Sequence, residues 1–276
     1  MVYKAAASEL PSRMPRFAAN ISLLFTEHAF LDRFEQAARA GFAAVEIQFP
    51  YEHPKEAIAE RLARHGLRCV LHNLPPGDWE AGERGIAIFS ERQSEFRDGV
   101  ARAIDYAGAL GCRQLNCLAG LVPAGADRAR LHATFVANLA YAAAELERAG
   151  IRLLIEAINT RDMPGFFLTG TAQALDLIAA AGSANLFVQY DAYHMHVMGE
   201  DVRAMIAAHR DRIAHVQIAD DPGRHEPGTG RIDCPGLFEQ LDRIGFPGWV
   251  GAEYRPAART VDGLGWFAPY RVGSIG

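Results

Sequence analysis

Four short apolar runs in the second half of the chain each close on an oxygen-bearing side chain. Residues 151–156 read IRLLIE, 185–191 NLFVQYD, 213–217 IAHVQ and 249–253 WVGAE, so the runs end on Glu156, Asp191, Gln217 and Glu253. Runs of this length and composition are buried strands. An ionised carboxylate left without a partner at such an end costs several kcal/mol, on the order of the effective penalty for one buried ion. Three acids gathered in one place raise one another's pKa values and share protons unless a cation neutralises them. Three carboxylates and one amide oxygen make a hard, all-oxygen donor set, which suits Mg²⁺ or Mn²⁺ better than Zn²⁺. A helix cap or an ion pair accounts equally well for any single acid of this kind, but four in succession favour one shared metal site.

For those ends to meet, their strands must open on one face. The chain alternates apolar runs with longer segments of helical period, the pattern of βα units and a parallel sheet. Strands are expected at 16–21, 43–47, 68–72 and 113–117, then at the four runs above. The helices between them are expected at 28–40, 55–65, 91–110, 127–149, about 169–182, 201–210 and 235–244, with a short last helix at 260–267. Gly41, Gly66, Gly150 and Gly182 stand at helix stops. Eight units without interruption predict an α/β chain folded as a single-domain (β/α)8 barrel. No GxGxxG follows the first strand, which weakens a dinucleotide fold. In a barrel the C-terminal ends of all strands open on the face where active sites are built. The loop after the third strand, NLPPGDWEAGERGIAIF, is longer than a compact domain leaves unstructured unless it has a function.

Composition narrows the function class. The 33 acidic residues outnumber the 28 Lys and Arg, giving a net charge of −5. That is the wrong sign for holding a phosphodiester backbone, so nucleic acid is not expected as a partner. Cys69, Cys112, Cys117 and Cys234 form no CxxC pair, and three of the four lie in or beside apolar runs and read as small core residues. Residues 1–13 are polar and alanine-rich, without a continuous apolar stretch, and are expected to form an N-terminal extension to a barrel spanning 14–276. No segment approaches the roughly 20 apolar residues of a membrane span, so a cytoplasmic location is expected by default. The sequence is compatible with a homo-oligomer.

Other side chains bear on the same face. His194, three residues after Asp191 in DAYHMH, is placed to reach a substrate oxygen beside the metal. His72 ends the third strand and is similarly placed, and Glu46 and Gln48 bracket the end of the second. One of that pair is expected to face the mouth, and the sequence does not choose between them; Glu46 is the substrate-binding candidate of the two.

The segments FAANISLLF, LHNLPPGDWEAGERGIA, EFRDGVARAI, LNCLAG, GFFLTGT, QYDAYHMH, HVQIADDPGRHEPGTG and GWVGAEYRP resemble the hydroxypyruvate isomerase family, a member of the xylose-isomerase-like TIM barrels. The resemblance runs over about 14–270. It implies a metal-dependent isomerase in which Glu156, Asp191, Gln217 and Glu253 hold the ion, Glu156 and Glu253 also move a proton, and His194 touches the substrate. The implied reaction interconverts hydroxypyruvate and tartronate semialdehyde through an enediolate, with no organic cofactor. A 2-oxo-tetronate isomerase, a related ketose epimerase or dehydratase, and a non-catalytic sugar-acid binding barrel are the alternatives. The DNA-repair branch of the superfamily needs a histidine-rich trinuclear zinc site, against which Gln217 and the acidic charge speak. Ala157, and Arg231 after GTG, depart from the family pattern, which bears on substrate identity more than on reaction type. For a hydroxy-keto acid substrate, Arg224 in the loop after the seventh strand is the candidate carboxylate reader, because a guanidinium fork donates two parallel hydrogen bonds.

Overall fold

Eight parallel strands follow one another around a closed barrel in chain order, and the last pairs with the first. They are β1 (Arg16–Asn20), β2 (Ala44–Ile47), β3 (Arg68–Asn73), β4 (Gln114–Cys117), β5 (Arg152–Glu156), β6 (Leu186–Asp191), β7 (Ile213–Ile218) and β8 (Trp249–Ala252). The computed structural model describes residues 15–271. The expected extension at 1–13 therefore lies outside the described residues, as do 14 and 272–276 of the expected barrel span. Among the described residues no helix is long and apolar enough to cross a membrane.

The helices are α1 (Arg33–Arg39), α2 (Lys55–His65), α3 (Gln93–Leu110), α4 (Arg128–Arg148), α5 (Thr171–Ala181), α6 (Ala192–Val197), α7 (Val202–His209) and α8 (Cys234–Arg243). Strand residues alternate between two environments, as a period of two requires. Leu153 and Ile155 of β5, like Leu186, Val188 and Tyr190 of β6, face outward and join the large cluster beneath the helices. Leu154 and Phe187 face inward. Gly66 and Gly182 end α2 and α5 in the left-handed region, φ 64° and 65°, where a side chain is disfavoured.

Two β-bulges set which residues look inward at the mouth. Along the β2–β3 ladder Val45 pairs with Cys69 but Glu46 pairs with Leu71, so Val70 is an extra residue on β3. Along β6–β7, Val188 pairs with Ile213 and Gln189 with His215, so Ala214 is extra on β7. Each insertion shifts every later side chain of its strand to the opposite face. On β7 this turns His215 and Gln217 inward, beside Gln189 and Asp191.

Three elements differ from expectation. The helix expected at 28–40 begins as a 3-10 turn, Phe30–Asp32, before α1. The segment Thr260–Tyr270 is 3-10 rather than α, with a kink at Leu264. The six-residue α6 follows β6 without a loop and was not expected at all. The long loop after β3 is packed: Ile86, Ala87 and Ile88 are buried, and a Cβ on Gly85 would lie 2.7 Å from the Leu118 carbonyl carbon.

Candidate active site

The strand ends singled out above converge. Glu156, Asp191 and Gln217 sit at the inner C-terminal ends of β5, β6 and β7, and Glu253 is one residue past β8. All four are buried. A cavity of about 690 Å³ opens above them, its wall including Glu46, Glu156, His194, Gln217, Arg224 and Glu253. Trp79 and Arg84 from the long loop complete the rim, with the Arg84 guanidinium stacked 3.9 Å over the Trp79 ring.

Asp191 has two tasks. Its Oδ1 accepts from the Tyr193 and His194 amides at 2.8 and 3.3 Å and caps α6, while Oδ2 faces His194 Nε2 at 3.5 Å and Arg224 at 3.4 Å. The cap explains why helix starts directly at residue 192 and why His194 is carried back over the mouth. His194 is pinned by Asn159, whose Nδ2 lies 2.6 Å from its Nδ1. With Nδ1 accepting, the proton sits on Nε2. Burial holds the His194 pKa down at about 4, so the ring is neutral near pH 7.

The electrostatics call for a cation. Burial, reinforced by Glu253 and Asp191, raises the Glu156 carboxyl well above its ordinary value. Burial likewise lifts Glu253 to about 7, against the pull of Arg224. Arg224 is the cation already present, donating to Glu253 Oε2 at 2.9 Å. Glu156, Asp191 and Glu253, with Glu46 beneath them, outnumber the single guanidinium, an excess of acid that a bound cation would offset. The tightest donor group is Glu156, Asp191 and His194, whose ligand atoms lie within 4.8 Å of one another. Gln217 adds an amide oxygen on the neighbouring strand. Glu253 is more committed: Oε1 accepts from Gln48 at 2.7 Å and Asn20 at 3.1 Å, besides Arg224 on Oε2. The residues therefore fit a divalent metal, and the geometry places His194, with its proton on Nε2, beside the four donors read from the sequence.

His72 stands elsewhere than expected, and Glu46 lines the cavity with its oxygens already taken. His72 does not line the cavity; the extra residue Val70 turns it outward, opposite Ile47, where its Nδ1 is 3.4 Å from the Tyr51 hydroxyl. Asn73 faces in instead and accepts from Asn116, which also donates to Glu156 Oε2 at 3.0 Å. Glu46 lines the cavity floor, but its oxygens are taken by Asn20, His215 and Gln217 at 2.9, 2.6 and 2.8 Å. Gln48, its alternative, reaches Glu253.

Several residues of the site carried no signal of their own. Asp220 is fully buried and accepts from four backbone amides, those of Asp221, Gly228, Gly230 and Ile232, at 2.8 to 2.9 Å. It folds the loop after β7 around itself, and a Cβ on Gly230 would lie 2.6 Å from its carboxylate. The GTG run thus shapes the loop. Arg224, at φ 56°, is held in that loop where the Arg255 amide donates to its carbonyl at 2.8 Å. At the rim, Tyr193 donates to Asp162 at 2.6 Å and Arg161 to Tyr193 at 2.9 Å.

The family model described as a xylose isomerase-like TIM barrel matches residues 34–270. A hydroxypyruvate isomerase of Escherichia coli is 52% identical over 94% of this chain and 100% of its own. A 2-oxo-tetronate isomerase of Cupriavidus necator is 49% identical over 93% and 99%. A crystal structure from Brucella melitensis, described as an AP endonuclease of family 2, superposes with a TM-score of 0.92 at 47% identity, covering 94% of this chain and all of that one.

Proposed function

The chain belongs to the xylose isomerase-like TIM barrel family and is an isomerase of its hydroxypyruvate isomerase group; on that premise we propose that it interconverts hydroxypyruvate and tartronate semialdehyde with a divalent metal, Mg²⁺ or Mn²⁺. The observation that carries the reading is the convergence of Glu156, Asp191, Gln217 and Glu253 beside a neutral His194, with the pKa values of Glu156 and Glu253 raised. Glu156, Asp191, Gln217 and Glu253 are the proposed metal ligands, with His194 near enough to reach the substrate. When bound, the metal acts as a Lewis acid that offsets charge developing on two adjacent substrate oxygens.

The chain's own groups supply the rest. One glutamate of the pair Glu156 and Glu253 removes the proton from C3 of hydroxypyruvate, leaving an enediolate. The same or the other glutamate returns a proton to C2, while the hydroxyl proton passes from the C3 oxygen to the C2 oxygen. Atoms and charge balance, and no organic cofactor or redox partner is needed. A positioned acid and base contribute roughly 10²- to 10⁴-fold. His194 offers its Nε2–H to a substrate oxygen, and Arg224 is the proposed partner of the substrate carboxylate. The net charge of −5 speaks against nucleic acid as a partner, and a small hydroxy-keto acid, itself an anion, would rely on Arg224 and the metal to enter so acidic a mouth; a cytoplasmic location is part of the same proposal.

A four-carbon 2-oxo-tetronate is the second reading, supported by the Cupriavidus necator relative. Metal-loaded protein is to be incubated with hydroxypyruvate, 2-oxo-tetronates and simple ketoses, and the products followed by NMR. Metal-dependent formation of tartronate semialdehyde, faster than any four-carbon product, is expected. Preferred turnover of a tetronate selects the second reading, a water-loss product selects a dehydratase, and no turnover of any substrate leaves a binding barrel.

A further inference from the structure

We infer that Glu46 is a positioning residue that decides which end of the Gln217 amide faces the metal. The inference rests on the metal reading above. An amide presents an oxygen and an NH₂ of nearly the same shape, and only the oxygen can hold a cation. Gln217 Nε2 donates to Glu46 Oε1 at 2.8 Å. A carboxylate accepts and does not donate, so the NH₂ must turn toward Glu46 and Oε1 must turn away from it. Gln189 Nε2 meets Oε1 on that side at 2.6 Å, leaving the second lone pair for an ion.

Glu46 is itself immobilised. Asn20 Nδ2 donates to its Oε1 at 2.9 Å and His215 Nε2 faces its Oε2 at 2.6 Å. Gln114 Nε2 lies 3.0 Å from His215 Nδ1, which directs the ring proton toward Glu46. The relay from Gln114 through His215 and Glu46 to Gln217 is buried at every member. Room for it is made on β8: a Cβ at Gly251 would lie 2.5 Å from the Glu46 carboxyl carbon. Nothing in the relay needs to touch substrate.

The test is Mn²⁺ affinity, read from the electron paramagnetic resonance signal of the free ion, with thermal unfolding of each metal-free protein as a control. Glu46→Gln supplies an NH₂ that can face Gln217 and let its amide turn over. Partners that orient a ligand typically change metal affinity 10- to 100-fold, so Kd should rise by about that factor. Gln217→Ala should weaken binding similarly, and the double variant should bind no more weakly than Gln217→Ala alone. Losses that multiply would show Glu46 acting by its charge and overturn the inference. Glu46→Asp keeps the charge while shortening the reach, and covers the case in which Glu46→Gln does not fold. A folded Glu46→Asp with wild-type affinity would equally overturn it. Wild-type protein that binds no Mn²⁺ defeats the metal reading and the inference with it; wild type and variants binding alike defeats the inference alone.

Discussion

Replacing Gly251 by alanine probes the interior of the barrel at one atom. The added Cβ would sit 2.5 Å from the Glu46 carboxyl carbon, about 1 Å inside ordinary contact. Glu46 is 1% exposed and held by Asn20, His215 and Gln217, so its carboxylate has nowhere to move without losing partners. Hydrogen bonds to a charged group contribute roughly 1.5–3 kcal/mol each. Loss of one or two therefore destabilises by about 3 kcal/mol. At roughly 2–4 °C per kcal/mol for a domain near this size, the melting temperature should fall by about 6–12 °C. Calorimetry of the metal-free protein measures the shift, with Gly265→Ala as a control because a Cβ there meets nothing within 4 Å. A Gly251→Ala protein that melts within about 1 °C of wild type would refute the placement of the Glu46 carboxylate against β8.

Further outcomes follow from the mouth. Asp191→Asn should weaken Mg²⁺ binding more than tenfold yet change the metal-free melting temperature by under about 2 °C, because asparagine caps a helix as well as aspartate does; titration calorimetry and thermal scans check the two halves. Arg224→Ala should raise KM for a carboxylate substrate while sparing an uncharged ketose; equal losses on both would mean that Arg224 serves Glu253 and Asp191 rather than the substrate. The raised Glu253 carboxyl makes the metal-free fold pH-dependent. Between its ordinary 4.5 and about 7 the folded chain keeps a proton that the unfolded chain has released, so this group's contribution to stability falls as pH rises through that window. Denaturant midpoints across that window should decline in the wild type and decline less in Glu253→Gln.

The barrel and its convergent strand ends were legible because both follow from period and composition. IRLLIE and its three counterparts are apolar enough to be strands, and each polar end is visible as a break in the run. The facing of His72 was not legible, because one inserted residue, Val70, reverses the side chains that follow it and leaves no mark in the composition. Asn73, the residue that does face inward, sits beside it as an unremarkable strand end. The relay through Glu46 was hidden for another reason: Glu46 and His215 are 169 residues apart and meet only once the barrel closes. Neither residue breaks a local rule. The helix at Ala192–Val197 is too short to show a period, and only the capping role of Asp191 accounts for it.

Glu156 and Glu253 are proposed to move a proton at a metal site. The most direct test follows hydroxypyruvate by NMR in D₂O with chelated protein, then after adding Mg²⁺ or Mn²⁺, and again with Glu156→Gln and Glu253→Gln. The expected outcome is no conversion by the chelated protein, restored conversion with deuterium entering the product carbon, and losses of at least about 10²-fold in each glutamate variant. Full conversion by the chelated protein, or wild-type rates in both variants, would contradict it.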